Sequence, residues 1–182
     1  LYICTNRQYN RIGMKTCIRK ILISALLIYI FLPSFGQTST TQQILAAANE
    51  CGIKVSGIKQ LEIGERFKDL YSEKYQLFIE QPIDHSDPTV GTFQQKVILF
   101  HIGYENPMLL ITEGYTSNGG HPRYSNELST IFKTNMIEVE HRYFGESIPF
   151  MQDDSTITDE TLNWNYMTAK NEAADLHRVN IL

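Results

Sequence analysis

One stretch of the sequence, residues 136–150, constrains the fold more than any other. It reads MIEVEHRYFGESIPF. Strand-forming residues fill its first part, three polar residues (Glu140, His141 and Arg142) follow, and Gly145 and Pro149 then break any regular structure. In α/β enzymes the functional loops lie at the end of the sheet, where a buried strand ends in polar side chains and a glycine turn. The stretch therefore predicts an α/β fold with functional residues near position 140.

Two earlier segments predict an antiparallel hairpin with a long tip. Residues 75–80 alternate like a strand, residues 82–91 are rich in turn formers, and residues 92–102 are again strand-like. The pair Asp84-His85 in the tip could be catalytic, could bind a metal, or could stabilise a turn through the aspartate. Because the sequence has no second ligand cluster at metal spacing, we favour the turn and expect neither a metal site nor a cofactor.

A parallel sheet with helical crossovers is expected next. Residues 108–112, MLLIT, form a short apolar run typical of a strand buried on both faces. From Pro122 to about Thr134 the apolar residues recur at helical spacing, which predicts a helix with a buried stripe and a right-handed crossover into the strand at position 136. The stripe comprises Tyr124, Leu128, Ile131 and Phe132.

A last helix is predicted to begin at Thr168, a good N-cap residue, and to run towards the end of the chain. Asp175 and His177 are two residues apart on it and so do not face each other. This spacing argues against a catalytic dyad formed by these two residues.

The N-terminal part predicts export. Residues 14–20 are basic, residues 21–32 are almost entirely apolar, and small residues at Ser34 and Gly36 suit cleavage after Gly36. We interpret residues 1–13 as a mis-called start, 14–36 as a signal peptide, 37–70 as a polar and mobile leading segment, and 71–182 as the main domain. The apolar run is shorter than the roughly 20 residues that span a bilayer, so no permanent membrane span is expected.

Cysteine content and charge exclude other classes. After signal cleavage only Cys51 is left, so the mature chain cannot form an internal disulfide. The sequence places no base near Cys51, so a reactive thiol is not expected there. The net charge of −4 comes from interspersed acids and bases. A nucleic-acid partner is therefore not expected.

Two motifs carry a family resemblance. EHRYFGESIPF resembles the Glu-His-Arg-aromatic-aromatic-Gly-x-Ser motif of secreted bacterial prolyl tripeptidyl aminopeptidases and of the related lysosomal Pro-X carboxypeptidase and dipeptidyl peptidase. QPIDHSDPTVGTFQQ is similar to a Gln-x-x-Asp-His and Gly-Thr-Phe-x-Gln segment of the same peptidases. The resemblance covers about residues 75–179. It implies the N-terminal part of an α/β-hydrolase, with an antiparallel hairpin leading into a parallel sheet and ending before the nucleophile strand.

The resemblance also implies site residues. The backbone N–H groups of Gly114 and Tyr115 are candidates for the oxyanion hole, with an ordinary turn as the alternative. Glu113 is a candidate to bind the substrate's α-ammonium group, and a solvated or structurally paired glutamate is the alternative.

The motif residues Glu140, His141, Arg142, Gly145 and Ser147 are expected to be structural, with Glu140 and Arg142 bracing the strand end as an ion pair. Ser147 is a poor nucleophile candidate because Pro149 replaces the second glycine of Gly-x-Ser-x-Gly and the motif follows the wrong strand. The resemblance implies that the catalytic Ser, Asp and His lie downstream, so the 182-residue chain alone is expected to be inactive.

The function expected of the intact protein is that of a secreted serine aminopeptidase. It would take peptide substrates and release short peptides from their N-termini, with a preference for proline. An esterase or lipase on the same scaffold is an alternative, because a scaffold does not fix the substrate. The other alternative is an inactive remnant or binding module that kept only the front half of a hydrolase.

Overall fold

A mixed five-stranded sheet is the framework of the computed structural model, which describes residues 39–112, 114–150 and 162–182. Its strand order is β1-β2-β3-β5-β4. Neighbouring strands are antiparallel except β4 and β5, which are parallel. The strands are β1 (Val55–Gln60), β2 (Glu73–Pro82), β3 (Thr92–His101), β4 (Met108–Thr112) and β5 (Asn135–Val139). The predicted α/β class is confirmed, whereas the assignments for residues 1–36 lie outside the described residues.

Three α-helices accompany the sheet in these ranges. They are α1 (Thr40–Glu50), α2 (Glu127–Phe132) and α3 (Ala169–Asn180). Each begins after a residue whose side chain accepts a hydrogen bond from the first turn, as N-caps do. For α3 this cap is Thr168, as predicted: the Asn171 N–H donates to Thr168 Oγ1 at 3.2 Å.

The predicted hairpin is confirmed. β2 and β3 pair without a break from Glu73 opposite His101 to Pro82 opposite Thr92. In the tip, the Ser86 N–H donates to Asp84 Oδ1 at 2.8 Å, so Asp84 stabilises a turn as expected. Among the described residues, no group of His, Cys, Asp and Glu is arranged to hold a metal ion.

One strand was not predicted from the sequence, and another is less buried than predicted. β1 lies within residues 37–70, where a mobile segment was expected, and it pairs antiparallel with β2. Its polar composition and Gly57 concealed it, because an edge strand needs few apolar residues. β4 was expected to be buried on both faces, but it is an edge strand of the described sheet: its ends are exposed and its middle is only half-buried.

Helix α2 is shorter than predicted, and its apolar stripe is not buried. It begins after Asn126 and ends at Lys133, which has a left-handed backbone with φ 51°. The residue that α2 buries is Ser129, whose Oγ lies 2.7 Å from the Tyr71 hydroxyl. The exposed apolar side chains are Leu128, Ile131 and Phe132. Helical spacing gave the correct structure type, but it could not tell which side of so short a helix faces the sheet.

Two hydrophobic clusters lie on opposite faces of the sheet. One contains Ile137 and Val139 of β5 together with residues of α1 and α3. The other contains Met136 and the aromatic residues Phe67, Tyr71 and Phe100. Because side chains alternate along a strand, Glu138 of β5 points to the same side as Met136.

None of the helices in the described ranges is long and apolar enough to cross a membrane; α3, the longest, has 12 residues.

Candidate functional site at the carboxyl end of β5

The loops that follow β4 and β5 leave the sheet side by side. The two strands are parallel, and Thr112 at the end of β4 pairs with Val139 at the end of β5. Parallel neighbours bring their carboxyl ends to the same sheet edge, where α/β proteins place their sites. Gly114 and Tyr115 therefore lie beside the segment that begins at Glu140. Glu113, the third candidate of this loop, lies outside the described residues.

Glu140 is fully buried, and its carboxylate gathers donors from three segments. Its Oε1 accepts the Ser117 N–H at 3.1 Å and lies 3.4 Å from Lys96 Nζ. Its Oε2 accepts the Glu146 N–H and the Ser147 hydroxyl, each at 2.9 Å. Four donors replace the water that the carboxylate loses on burial, and a carboxylate without them would be strongly destabilised. We call this group of five residues the Glu140 cradle.

The turn after β5 is wound tightly around this carboxylate. The Tyr143 N–H donates to the Ser147 carbonyl at 2.9 Å, and the Ser147 N–H donates to the Phe144 carbonyl at 2.8 Å. Gly145 has φ 53°, and a Cβ added there would overlap the Glu140 carboxylate. Glycine is therefore required at position 145 both by its backbone angle and by space.

Ser147 itself is enclosed in the turn. Its side chain is fully buried, its hydroxyl donates to Glu140, and its Oγ accepts the Lys96 N–H at 2.9 Å. These contacts tie the turn to the neighbouring strand β3. They occupy the hydroxyl in a structural role.

A second buried glutamate holds the loop after β4. Glu138 Oε1 accepts the Ser117 hydroxyl at 2.6 Å and the Gly119 N–H at 2.9 Å. Its Oε2 has no hydrogen-bond partner among the described residues and packs so closely on Gly119 that a Cβ there would lie 2.7 Å away. The nearby Lys74 is also buried, and desolvation lowers the pKa of its ammonium to about 8 although the charge of Glu138 opposes this.

Arg142 forms the other anchor of the motif, and its partner is Asp175 on α3. Its Nε donates to Asp175 Oδ2 at 2.7 Å and its Nη2 to Oδ1 at 2.8 Å, a bidentate pair between two buried side chains. The remaining N–H groups donate to backbone carbonyls of Pro82, Ile83 and Tyr166. All five donors of the guanidinium thus have acceptors, the condition under which a buried arginine is tolerated.

The predicted ion pair between Glu140 and Arg142 is wrong. Glu140 binds Lys96, and Arg142 binds Asp175. The rule that residues two apart share a face holds within a strand, but β5 ends at Val139. Arg142 lies in the turn, and its side chain leaves in another direction.

His85 of the hairpin tip also contacts Asp175, a partner that the sequence did not predict. Its Nε2 lies 2.7 Å from Asp175 Oδ1, and its backbone N–H donates to Asn171 Oδ1 at 3.1 Å. Asp175 therefore joins the hairpin tip, the turn after β5 and helix α3. No local pattern could have revealed this, since His85 and Asp175 are 90 positions apart.

A cavity of about 210 Å³ opens between the motif and the start of α3. His141 and Glu172 face each other in its wall, with His141 Nδ1 3.1 Å from Glu172 Oε1. Desolvation raises the pKa of Glu172 to about 7, and the charge of Asp175 adds to this shift. Desolvation also lowers the pKa of His141. Both shifts favour the neutral forms. The other lining residues are Arg142, Phe144, Met167, Thr168 and Ala169.

The chain is similar in sequence to a peptidase family and to two named proteins. The family model described as PS-10 peptidase S37 matches residues 54–179. A prolyl tri/tetrapeptidyl aminopeptidase of Streptomyces mobaraensis is 26% identical over 168 residues, which cover 88% of this chain and 32% of the relative. A probable serine protease of Arabidopsis thaliana, EDA2, is 30% identical over 112 residues, covering 58% and 22%. The chain spans about a third or less of the length of these two relatives.

The Gly145→Ala variant is expected to be destabilised by about 2–4 kcal/mol, because the left-handed backbone angle and the overlap with the Glu140 carboxylate add together. Gly52→Ala is the matched control: Gly52 has φ 67° but nothing within reach of an added Cβ. It should cost only about 1 kcal/mol. Urea unfolding measures both, and equal losses would contradict the close packing of the turn around Glu140.

Asp175→Asn should lower the free energy of unfolding by about 3–5 kcal/mol, because it leaves the buried guanidinium of Arg142 without its counter-charge. Glu80→Gln, which breaks the exposed ion pair with Lys54, is the control and should cost less than about 1 kcal/mol. Chemical denaturation of the two variants tests this. A loss for Asp175→Asn no larger than that of the control would show that the buried pair does not anchor α3.

Glu172→Gln should remove a pH-dependent loss of stability. The pKa of Glu172 in the folded protein lies above its ordinary value, so its ionisation destabilises the fold as the pH rises from about 5 through 7. The groups around it are His141, Arg142 and Asp175. The wild type should therefore lose up to about 3 kcal/mol relative to the variant between pH 5 and 8.

The pH profile of the free energy of unfolding measures this difference. Glu62→Gln, at an exposed position, should follow the wild-type profile. Parallel profiles for wild type and Glu172→Gln would refute the raised pKa.

Proposed function

Since the chain belongs to the PS-10 peptidase S37 family, we propose that its protein is a serine aminopeptidase that releases short peptides from N-termini, with a preference for proline at the cleaved bond. The observation that carries this proposal is the arrangement at the carboxyl end of β4 and β5, where the Glu140 cradle fixes the loop that contains Gly114 and Tyr115. The name of the Streptomyces relative, a prolyl tri/tetrapeptidyl aminopeptidase, supports peptides with proline as the substrate class.

In this proposal the described sheet is the N-terminal part of an α/β-hydrolase scaffold. A serine outside the described residues attacks the scissile carbonyl, a histidine takes its proton, and an acid orients the histidine. The topology supports this: β4 pairs with β5 on one side only, and α3 follows β5. A strand that follows α3 and pairs parallel to β4 would bring its carboxyl end, with a nucleophile, next to Gly114.

The backbone N–H groups of Gly114 and Tyr115 would then stabilise the oxyanion of the tetrahedral intermediate. Gly114 has no side chain to obstruct a substrate, and a Cβ added there would contact nothing within 4 Å. Backbone donors held in advance at the site of developing charge give one of the largest catalytic contributions known. Glu113 would bind the α-ammonium group of the substrate at the same edge.

We further propose that the protein is exported by the signal peptide at residues 14–36. The basic, apolar and small-residue order of this segment supports export, and a peptidase acting on extracellular peptides would need it.

The complete protein should hydrolyse Ala-Ala-Pro-p-nitroanilide with a free N-terminus, and a fluorophosphonate probe should label its serine. The N-acetylated substrate should react at least about tenfold more slowly, because one charge-assisted hydrogen bond to the ammonium is lost. The purified 182-residue chain should show neither hydrolysis nor labelling.

Each other outcome points to a different conclusion. Equal rates for free and acetylated peptides, with faster cleavage of p-nitrophenyl esters, would favour an esterase. A complete protein that the probe does not label would contradict serine catalysis. Hydrolysis by the 182-residue chain would show that its own residues suffice.

A further inference from the structure

We infer that Glu140 is a positioning residue for catalysis: its buried carboxylate fixes the loop that carries the oxyanion donors. This inference rests on the proposed function, in which Gly114 and Tyr115 supply those donors. Glu140 and Arg142 bind different partners, so an ion pair within the Glu-His-Arg motif does not explain the role of Glu140. Positioning of the loop gives Glu140 such a role.

The direct link runs through Ser117. Its N–H donates to Glu140 Oε1 at 3.1 Å, only two residues beyond Tyr115. Its hydroxyl donates to Glu138 Oε1 at 2.6 Å. Glu138 of β5 and Glu140, which directly follows the strand, therefore hold both polar groups of a single loop residue. A residue held at both of these groups has little freedom to shift, and its neighbours in the loop share this restraint.

A second link runs through the turn. The same carboxylate accepts the Glu146 N–H and the Ser147 hydroxyl, which fixes the turn that carries Phe144. The ring of Phe144 packs edge-on against the ring of Tyr115, with centroids 5.2 Å apart. Tyr115 is otherwise largely exposed, so this contact restrains its position. Glu140 thus restrains the loop at two points, directly at Ser117 and through Phe144 at Tyr115.

A negative charge beside an oxyanion hole would oppose catalysis unless it were neutralised. Lys96 supplies the neutralising charge, with its Nζ 3.4 Å from Glu140 Oε1 and 2.9 Å from Glu146 Oε1. Burial alone would lower the pKa of Lys96, but Glu146 and Glu140 together raise it above its ordinary value. The lysine therefore stays charged at neutral pH. Its charge offsets that of the Glu140 carboxylate, which reduces the repulsion of a developing negative charge nearby.

Small displacements of the backbone donors are enough to impair an oxyanion hole, so restraint of their loop matters. Donors in an oxyanion hole act only if they are already aligned, and a displacement of about 1 Å can reduce the rate by about a hundredfold. A loop at a sheet edge is mobile unless its polar groups have partners. Glu140 supplies such a partner from the rigid end of β5.

The test compares Glu140→Gln with Glu80→Gln in the complete protein. Both change one carboxylate that pairs with a lysine, but Glu80 pairs with Lys54 and does not contact the loop. Glu140→Gln should lower kcat by about 10- to 100-fold with KM within about threefold of wild type, since alignment of the donors affects the transition state more than the ground state. Glu80→Gln should match the wild type.

Binding of two inhibitors separates positioning from general damage. A peptide aldehyde ending in prolinal forms a tetrahedral adduct whose oxygen occupies the oxyanion site, whereas the product peptide ends in a planar carboxylate. Glu140→Gln should weaken the aldehyde by the same factor as kcat/KM and leave the product peptide unchanged. A merely structural role would weaken both equally or neither.

The outcomes are distinguishable. An inactive wild-type protein would overturn the proposed function, and this inference with it. An active wild type whose Glu140→Gln variant retains kcat, or weakens both inhibitors alike, would overturn the positioning role alone. If Glu140→Gln does not fold, Phe144→Leu decides, since it removes only the ring contact with Tyr115: a kcat fall of about threefold or more is expected, and an unchanged kcat would overturn the inference.

Discussion

The bidentate pair between Arg142 and Asp175 determines how the described elements are joined. A guanidinium placed in the protein interior must satisfy five donors, and here two go to Asp175 and three to carbonyls of the hairpin tip and of the segment before α3. If any of these segments moved, a buried charge or donor would lose its partner, which costs several kcal/mol. The pair therefore fixes the positions of the hairpin, the turn after β5 and helix α3 relative to one another, and the candidate site forms in the space between them.

Strand β5 serves the core and the site at once because its side chains alternate. Ile137 and Val139 enter the hydrophobic cluster under α1 and α3, while Glu138 points to the opposite side and Glu140 follows the end of the strand. A strand buried on both sides would ordinarily carry only apolar residues. The two glutamates are tolerated there because the loop after β4 and the turn after β5 supply backbone and hydroxyl donors, and Lys96 supplies charge. Glu138 and Glu140 can be buried only if the loop after β4 and the turn after β5 fold over them. The same loop and turn are held in place by hydrogen bonds to the two carboxylates.

The sequence predicted those features that depend on local pattern. Alternation identified β2, a run of strand-type residues identified β3, the turn residues identified the hairpin tip, and Thr168 correctly marked the start of α3. Features that depend on distant partners were missed or misjudged. The side chain that binds Arg142 lies 33 positions away and the one that binds His85 lies 90 positions away, so no spacing rule applies to either. The strip Leu128, Ile131 and Phe132 has the spacing of a buried helix face, yet the helix buries Ser129 against Tyr71. Periodicity shows which residues share a face, but only packing shows where that face points.

Glu140 and Arg142 do not form the predicted ion pair with each other, and their separate partners show what the motif connects. Both residues lie beyond Val139, where β5 ends, and the chain turns sharply through Tyr143 and Gly145, each with a positive φ. The Glu140 carboxylate binds the loop after β4, whereas the buried Arg142 guanidinium binds Asp175 on α3. A charged pair binding only each other would have joined nothing beyond the turn. Because each residue instead binds a different element, the few residues of the motif connect the loop that holds the candidate oxyanion donors to the helix and hairpin that support it.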